Sequence, residues 1–292
     1  MMMKIKAPAK INLSFQIIGK RADGYHEVLT RMQKVSLTDT LFLERTKSGG
    51  LAFTCDDLQL QTEAESNLVV RAAETFLNNT KGLSGEGLRI TLQKRIPVAA
   101  GLGGGSSDAG AVLQGLNRIF NYPYTMQELV ELSRPLGADV PFFTSDYTAV
   151  MASGIGDVLE PCDDLAGFWI VLVNPGIGVS TRWVFEKYAL TRSLKNFKVT
   201  GFQNKDNRDF SSSEMCNDLE SVTIEHFPVI GDIKTKLLDL GAEAAMMTGS
   251  GPTVFGIFRE TGVAPGKKAV ILDDLSSEFG SKVFSVENWT GA

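Results

Sequence analysis

The stretch Pro97-Val-Ala-Ala-Gly-Leu-Gly-Gly-Gly-Ser-Ser-Asp108 decides how the rest of this 292-residue chain is read. Glycine occupies positions 101, 103, 104 and 105, and the hydroxyls of Ser106 and Ser107 follow. A β-like run, Gly87-Leu-Arg-Ile-Thr-Leu-Gln-Lys94, precedes the loop. A helical pattern from Ser106 to Phe120 follows it, with Ala109, Val112, Leu113, Leu116 and Phe120 on one side. Strand, glycine turn and helix start form the layout of a phosphate cradle. Glycines let backbone N–H groups converge on an anion, and the helix N-terminus adds partial positive charge. The plainer alternative is a tight turn with a helix cap, but glycine this dense costs chain entropy. The loop departs from the common templates. No lysine follows the glycines, as a P-loop requires. Ser106 stands where a dinucleotide-binding fingerprint has its third glycine. The His-Arg-Asp and Asp-Phe-Gly triplets of protein kinases are absent. These departures point to a phosphate loop of another lineage.

The length allows one large domain or two intimate ones. Hydrophobic content of 43% and charged content of 22% fit a soluble globular protein. A net charge of −5 argues against a general nucleic-acid binder. Cys55, Cys162 and Cys216 are far apart and outside any Cys-x-x-Cys, which fits free thiols in a reducing compartment. With only His26 and His226 present, a histidine-based metal site is disfavoured. The N-terminus shows no apolar signal core. The longest strongly apolar run, Phe168 to Val173, is too short to span a bilayer. The expectation is a cytoplasmic protein without membrane or nucleic-acid partners.

Around the glycine loop, Lys4 to Ile18 reads as two strand pieces broken by Pro8. Ile11, Leu13, Phe15 and Ile17 face a core, and Lys10 and Asn12 share the opposite side. That side is either a solvated face or part of a site. Asp23-Gly24 marks a turn, and Tyr25 and His26 after it either form a ligand platform or pack on the next strand. Val28 to Val35, Thr40 to Glu44 and Leu51 to Cys55 read as strands. Asn67 to Leu77 reads as a helix capped by Ser66 or Asn67. Thr125 with Glu128 forms a capping box. Asp139, between Gly137-Ala138 and an apolar Pro-Phe-Phe run, is either a helix N-cap or a carboxylate near a partly buried site. Strands follow at Tyr147 to Ala152, Phe168 to Val173, Ala242 to Met247, Thr253 to Phe258 and Lys282 to Val286. Helices are expected from Ser180-Thr181 through Tyr188, up to about His226, from Val229 to Leu240, and from Pro265 to Phe279. Residues 187 to 213 read as a mobile polar surface segment. A second glycine-hydroxyl loop, Thr248 to Pro252, lies just after a strand. The irregular alternation favours α+β over a doubly wound parallel sheet.

Five islands carry a resemblance. They are Ala7-Pro-Ala-Lys10-Ile-Asn12-Leu, Arg21-Ala-Asp-Gly-Tyr25-His26, Gly101-Leu-Gly-Gly-Gly-Ser-Ser-Asp108, Leu136-Gly-Ala-Asp139-Val-Pro-Phe-Phe143 and Met247-Thr-Gly-Ser-Gly-Pro-Thr-Val-Phe255. Together they resemble the GHMP kinase superfamily, and within it the branch that phosphorylates 4-diphosphocytidyl-2-C-methyl-D-erythritol. The resemblance implies an α+β fold. Residues 1–155 would form an N-terminal domain of ribosomal-protein-S5 type, and residues 156–292 a ferredoxin-like C-terminal domain. It implies ATP- and Mg²⁺-dependent phosphorylation of the 2-hydroxyl of that substrate, for isoprenoid precursor synthesis. Asp139 would be the general base and Lys10 its catalytic partner. Pro97, Val98, Ala99, Ala100, Gly101, Leu102, Gly103, Gly104, Gly105, Ser106 and Ser107 would form the phosphate loop, with Ser106 or Ser107 reaching Mg²⁺ or phosphate. Asn67, Leu68 and Lys94, with Pro97, would surround the adenine. Tyr25 and Phe185 would sandwich the cytosine, His26 would read its edge, and Asn12 and Thr181 would touch substrate. Another small-molecule kinase of the superfamily, or a nucleotide-binding module without catalysis, are the alternatives. The sequence leaves the oligomeric state, monomer or dimer, open.

Overall fold

The computed structural model describes residues 2–47, 49–62, 66–83, 85–191, 215–261, 266–280 and 282–291. Two long strands form the spine, β1 (Met2–Lys20) and β2 (His26–Thr46), joined by the turn around Asp23 and Gly24 and paired antiparallel along their length. Pro8 does not break β1. The register shifts between Pro8 and Ala9, and a proline, which cannot donate to the ladder, is tolerated at such an irregularity. The two strands expected between residues 28 and 44 are likewise one continuous strand.

Among the described residues, the first sheet has seven strands and the second four. The path of the first runs β3 (Gly50–Cys55), β4 (Gly87–Gln93), β2, β1, then β8 (Cys216–Asn217), while β5 (Ala149–Ser153) pairs with β2 and with β6 (Val158–Pro161). Beyond the short α1 (Leu58–Thr62), helices α2 (Leu68–Asn79), α3 (Gly104–Ile119) and α4 (Met126–Ser133) supply core residues such as Phe76, Val112 and Leu129. These pack with Ile5, Leu41 and Ile90 of the sheet. Local rules set the helix starts. The Asn67 side chain accepts from the Val69 N–H, and Thr125 and Glu128 form both bonds of a capping box. A turn at Arg134–Leu136 leads into α5 (Val140–Thr144), which is buried throughout.

The second sheet is ordered β11 (Val283–Val286), β7 (Phe168–Val173), β10 (Val254–Arg259), β9 (Ala244–Met247), all antiparallel. Helices α6 (Thr181–Thr191), α7 (Glu220–His226) and α8 (Val229–Asp239) follow β7, and α9 (Lys267–Phe279) follows β10. This connectivity is that of a ferredoxin-like unit. Ile170, Leu172, Phe255 and Ile257 of this sheet share a core with Ala9, Ile11 and Leu13 of β1. Burial of large apolar side chains on both sides holds the two sheets together, at about 25 cal/mol per Å² removed from water.

Of the polar segment expected at 187–213, residues 187–191 continue α6, and 192–213 lie outside the described residues. Among the described residues, no helix is long and apolar enough to cross a membrane.

Candidate active site

Lys10 and Asn12 come from β1, next to the shared core residue Ile11. The Lys10 ammonium donates to Asn12 Oδ1 at 2.5 Å. Asn12 Nδ2 donates to Thr30 Oγ1 at 2.8 Å, and Thr30 in turn donates to the Ser14 carbonyl. The Asn12 N–H donates to Thr248 Oγ1 at 3.0 Å, so this strand is tied to the second glycine loop. Every partner here is buried, which fixes the lysine in one place.

Asp139 enters from the other side. It holds the N-cap position of α5, yet its side chain makes no cap hydrogen bond. The carboxylate is 33% exposed and lies 3.9 Å from the Lys10 ammonium, whose side chain is 6% exposed. Burial lowers the Lys10 pKa below the usual lysine value, and the charge of Asp139 partly restores it. Close helix contact sets the position of α5. A Cβ at Gly110 would lie 2.8 Å from the Phe143 carbonyl carbon, so α3 and α5 approach as only glycine permits. In the sequence Gly110 reads either as a local weakness of the helix or as a place where a neighbour packs closely, and the second is what the structure has.

The glycine loop occupies the space between. Helix α3 starts at Gly104 with Gly103 as N-cap, and no side chain caps it. Its first N–H groups have no intrahelical partner, a geometry that suits an anion. The Leu102 carbonyl accepts from the Lys10 N–H at 3.0 Å, which ties the loop to β1. At Gly101 the backbone has φ +76°, and a Cβ there would sit 2.4 Å from the Thr248 carbonyl oxygen. The two glycine-hydroxyl loops thus meet backbone to backbone. The Thr253 N–H donates to the Ala100 carbonyl at 3.4 Å.

These groups line one cleft of about 1030 Å³. At one end Leu68, Lys94, Pro97 and Val98 stand with Asn67, whose side chain serves as the α2 cap. At the other end lie Tyr25, His26, Thr181 and Phe185. The His26 and Phe185 rings stack at 5.0 Å with 28° between their planes, while Tyr25 is 61% exposed. Partial burial, with Lys20 nearby, lowers the His26 pKa, which favours the neutral ring. In this structure Phe185 therefore rests on His26. Thr181 Oγ1 and Ser250 Oγ lie 2.8 Å apart, which joins α6 to the second glycine loop.

All the expected site residues line this cleft except Leu102 and Ser107. Leu102 is in the core, and the Ser107 hydroxyl donates to the Pro8 carbonyl at 2.6 Å. Of the two serines, only Ser106 faces the cleft. Gly249, Ser250 and Asp108 line it as well, although sequence reading assigned them no role. For the first two the repeated glycine-hydroxyl pattern after a strand was the available signal.

Residues 67–147 match the profile for the GHMP kinases N terminal domain, and residues 198–270 that for the GHMP kinases C terminal region. A protein of Desulfotalea psychrophila named 4-diphosphocytidyl-2-C-methyl-D-erythritol kinase is 46% identical over 286 residues, covering 98% of this chain and 95% of its own. The chain belongs to this family of GHMP kinases. A family member from Syntrophotalea carbinolica is 43% identical, over 96% of this chain and 97% of its own. The crystal structure of a 4-(cytidine 5'-diphospho)-2C-methyl-D-erythritol kinase superposes with a TM-score of 0.77 at 31% identity, covering 97% of this chain and 98% of that one. The homoserine kinase of Cytophaga hutchinsonii, at 18% identity and a TM-score of 0.71 over 98% of this chain and 95% of that one, shares the fold. The GHMP kinase α+β fold inferred from the five islands is thus the fold of the chain. The chain is a small-molecule kinase by this membership.

Proposed function

We propose that this chain transfers the γ-phosphoryl group of ATP to the 2-hydroxyl of 4-diphosphocytidyl-2-C-methyl-D-erythritol, a step of isoprenoid precursor synthesis. One observation carries the reading. A buried lysine and a partly exposed carboxylate, 3.9 Å apart, stand in one cleft between an uncapped helix N-terminus and an aromatic patch. Phosphoryl transfer to an alcohol needs little covalent chemistry from the protein and much positioning and charge compensation. The loop N–H groups from Gly101 to Ser106 hold the phosphates. Lys10, fixed by Asn12, offsets the charge that develops on the moving phosphoryl group. Asp139 accepts the proton of the substrate hydroxyl. Lys10 and the loop hold the reacting groups in place, so geometry supplies most of the rate.

Tyr25, His26 and Phe185 receive the cytosine, and Phe185 leaves His26 to stack on the base. Asn67, Leu68, Lys94 and Pro97 receive the adenine. The fit to Mg²⁺ follows from the donors present. Ser106 and Asp139 both face the cleft beside the phosphate loop, and no described cluster of three or more His, Cys, Asp or Glu forms a metal cage. A cation that keeps most of its waters would suit that sparse donor set. When bound, Mg²⁺ would neutralise phosphate charge; Ser106 is the residue that would hold it.

We also infer the division into units 1–155 and 156–292, with β6 and β8 of the second stretch returning to the first sheet. A cytoplasmic location fits the free thiols of Cys55, Cys162 and Cys216.

A coupled ADP-release assay tests the reading, with the cytidyl substrate beside mevalonate and homoserine. ADP release with the cytidyl substrate alone is expected. Release with mevalonate or homoserine instead would assign the chain to another GHMP kinase activity. Tight ATP binding without release on any acceptor would mark a non-catalytic nucleotide module.

A further inference from the structure

Lys94 follows β4 and its ammonium meets two carboxylates, Asp39 Oδ2 at 2.5 Å and Asp108 Oδ2 at 2.9 Å. Asp39 is 0% exposed and Asp108 is 1% exposed, yet Lys94 and Asp108 border the cleft. The cluster joins three elements. Asp39 comes from β2, Lys94 from the end of β4, and Asp108 from the start of α3. Asp39 has a second task. Its Oδ1 accepts the backbone N–H groups of Arg95 at 2.5 Å and Ile96 at 2.9 Å, the residues that lead into the glycine loop. One carboxylate thereby holds both the cation and the backbone ahead of the loop.

We propose that Asp39 is a positioning residue for the nucleotide, setting the place of the Lys94 ammonium and of the chain that leads into the glycine loop. This rests on the reading of Lys94 as a nucleotide contact. Asp108 has a different part. Among the described residues, its Oδ1 is buried without a hydrogen-bond partner. Burial, helped by the charge of Asp39, pushes the Asp108 carboxyl up to about 7 against the opposing pull of Lys94. A carboxyl group so easily protonated is a weak anchor for a cation. An amide at 108 therefore resembles a form that the native side chain adopts. An amide at 39 does not, because its NH₂ group would face either the ammonium or two N–H donors.

The test measures ATP and cytidyl-substrate affinity separately, by titration calorimetry on the full chain, with circular dichroism confirming the fold of each variant. Asp39→Asn and Lys94→Gln are expected to weaken ATP binding by about tenfold or more, as loss of one partner of a buried charge pair does. Cytidyl-substrate affinity stays within a factor of about three, because no contact of that end is touched. Asp108→Asn weakens ATP binding several-fold less than Asp39→Asn. The double variant Asp39→Asn/Lys94→Gln binds ATP about as the weaker single variant does, because the pair acts as a unit. A purely structural role for Asp39 would lower both affinities together. A folded Asp39→Asn protein with parental ATP affinity, or an Asp108→Asn loss as large as that of Asp39→Asn, overturns the proposal. If Asp39→Asn does not fold, the comparison of Lys94→Gln with Asp108→Asn decides. A larger ATP loss in Lys94→Gln supports the proposal, and an equal or smaller one overturns it. Failure of the unaltered chain to phosphorylate the cytidyl acceptor refutes the proposed reaction alone, since the ATP affinities still decide the role of Asp39.

Discussion

Replacing Gly101 with alanine tests the meeting of the two glycine loops. The new Cβ would stand 2.4 Å from the Thr248 carbonyl oxygen, 3.1 Å from the Gly251 oxygen and 3.2 Å from the Gly251 nitrogen. All three are backbone atoms, so no flexible side chain can yield. The residue also sits at φ +76°. The left-handed conformation costs an alanine about 1–2 kcal/mol. Forcing a methyl group into packed structure adds about 1–3 kcal/mol. Together the loss is about 2–5 kcal/mol. At about 2–4 °C per kcal/mol for a large chain, Tm falls by about 4–20 °C. Gly105→Ala is the internal control. Its Cβ would meet only Leu68 Cδ1, at 3.8 Å, and its backbone is helical. Alanine there gains up to about 1 kcal/mol of helix propensity. Thermal unfolding followed by circular dichroism reads both. Turnover falls as well in Gly101→Ala. Thr248 holds the Asn12 N–H, and Asn12 holds Lys10. A displacement of about 1 Å near reacting groups costs about 10²-fold in rate. A Gly101→Ala protein that melts within a degree or two of the parent, or a Gly105→Ala protein that loses as much, would refute the reasoning.

Other perturbations read other parts of the site. Asp139→Asn is expected to lower kcat by about 10²-fold or more while calorimetric ATP affinity holds; parental turnover would remove the assigned base. Tyr25→Ala is expected to raise KM for the cytidyl substrate with little change in kcat, because one base–aromatic stack is worth about 1–3 kcal/mol; an unchanged KM removes that stack. Because burial lowers the Lys10 pKa, and the ammonium is the working form, the alkaline limb of kcat/KM falls below the ordinary lysine range. A profile flat to pH 10.5, the ordinary lysine value, contradicts this. Lys34 donates to the Ser145 carbonyl at the C-terminus of α5, and burial brings its pKa down to about 7 against the attraction of Asp146. Its folded value lies below its unfolded value, so the cost of burying its charge is full below about pH 7 and is relieved as pH rises toward 10.5. Lys34→Met is therefore expected to compare better with the parent at pH 6 than at pH 9, by about 1–3 kcal/mol in urea unfolding. A difference independent of pH would show that Lys34 keeps an ordinary pKa.

The parts legible in the sequence were those governed by local rules. Glycine density and a following helical pattern marked the turn and the helix after it, and the capping residues Asn67 and Thr125 gave helix starts within a residue. The parts that depended on distant contacts were hidden. Pro8 reads as a strand break because its missing donor is visible in the sequence, while the register shift beside it is not. β6 and β8 are four and two residues long, too short to carry a period. Ser106 and Ser107 look alike in the chain; only the position of Pro8 beneath α3 takes Ser107 out of the cleft. Asp39 sits among residues that read as the break between two strands, with nothing local to mark it. Its partners are 55 to 57 residues away. Tyr25 and His26 were legible as an aromatic pair after a turn and Phe185 only through the family resemblance, and the stacking of Phe185 on His26 depends on how α6 lies against the start of β2.

Phosphorus NMR and mass spectrometry of the reaction product test the central claim most directly. The unaltered chain is incubated with ATP, Mg²⁺ and 4-diphosphocytidyl-2-C-methyl-D-erythritol. The expected product carries one added phosphoryl group, as a monoester on the 2-hydroxyl, beside an intact diphosphate bridge. A phosphoryl group on any other oxygen, or recovery of unchanged substrate from a folded protein that binds ATP, would contradict the account.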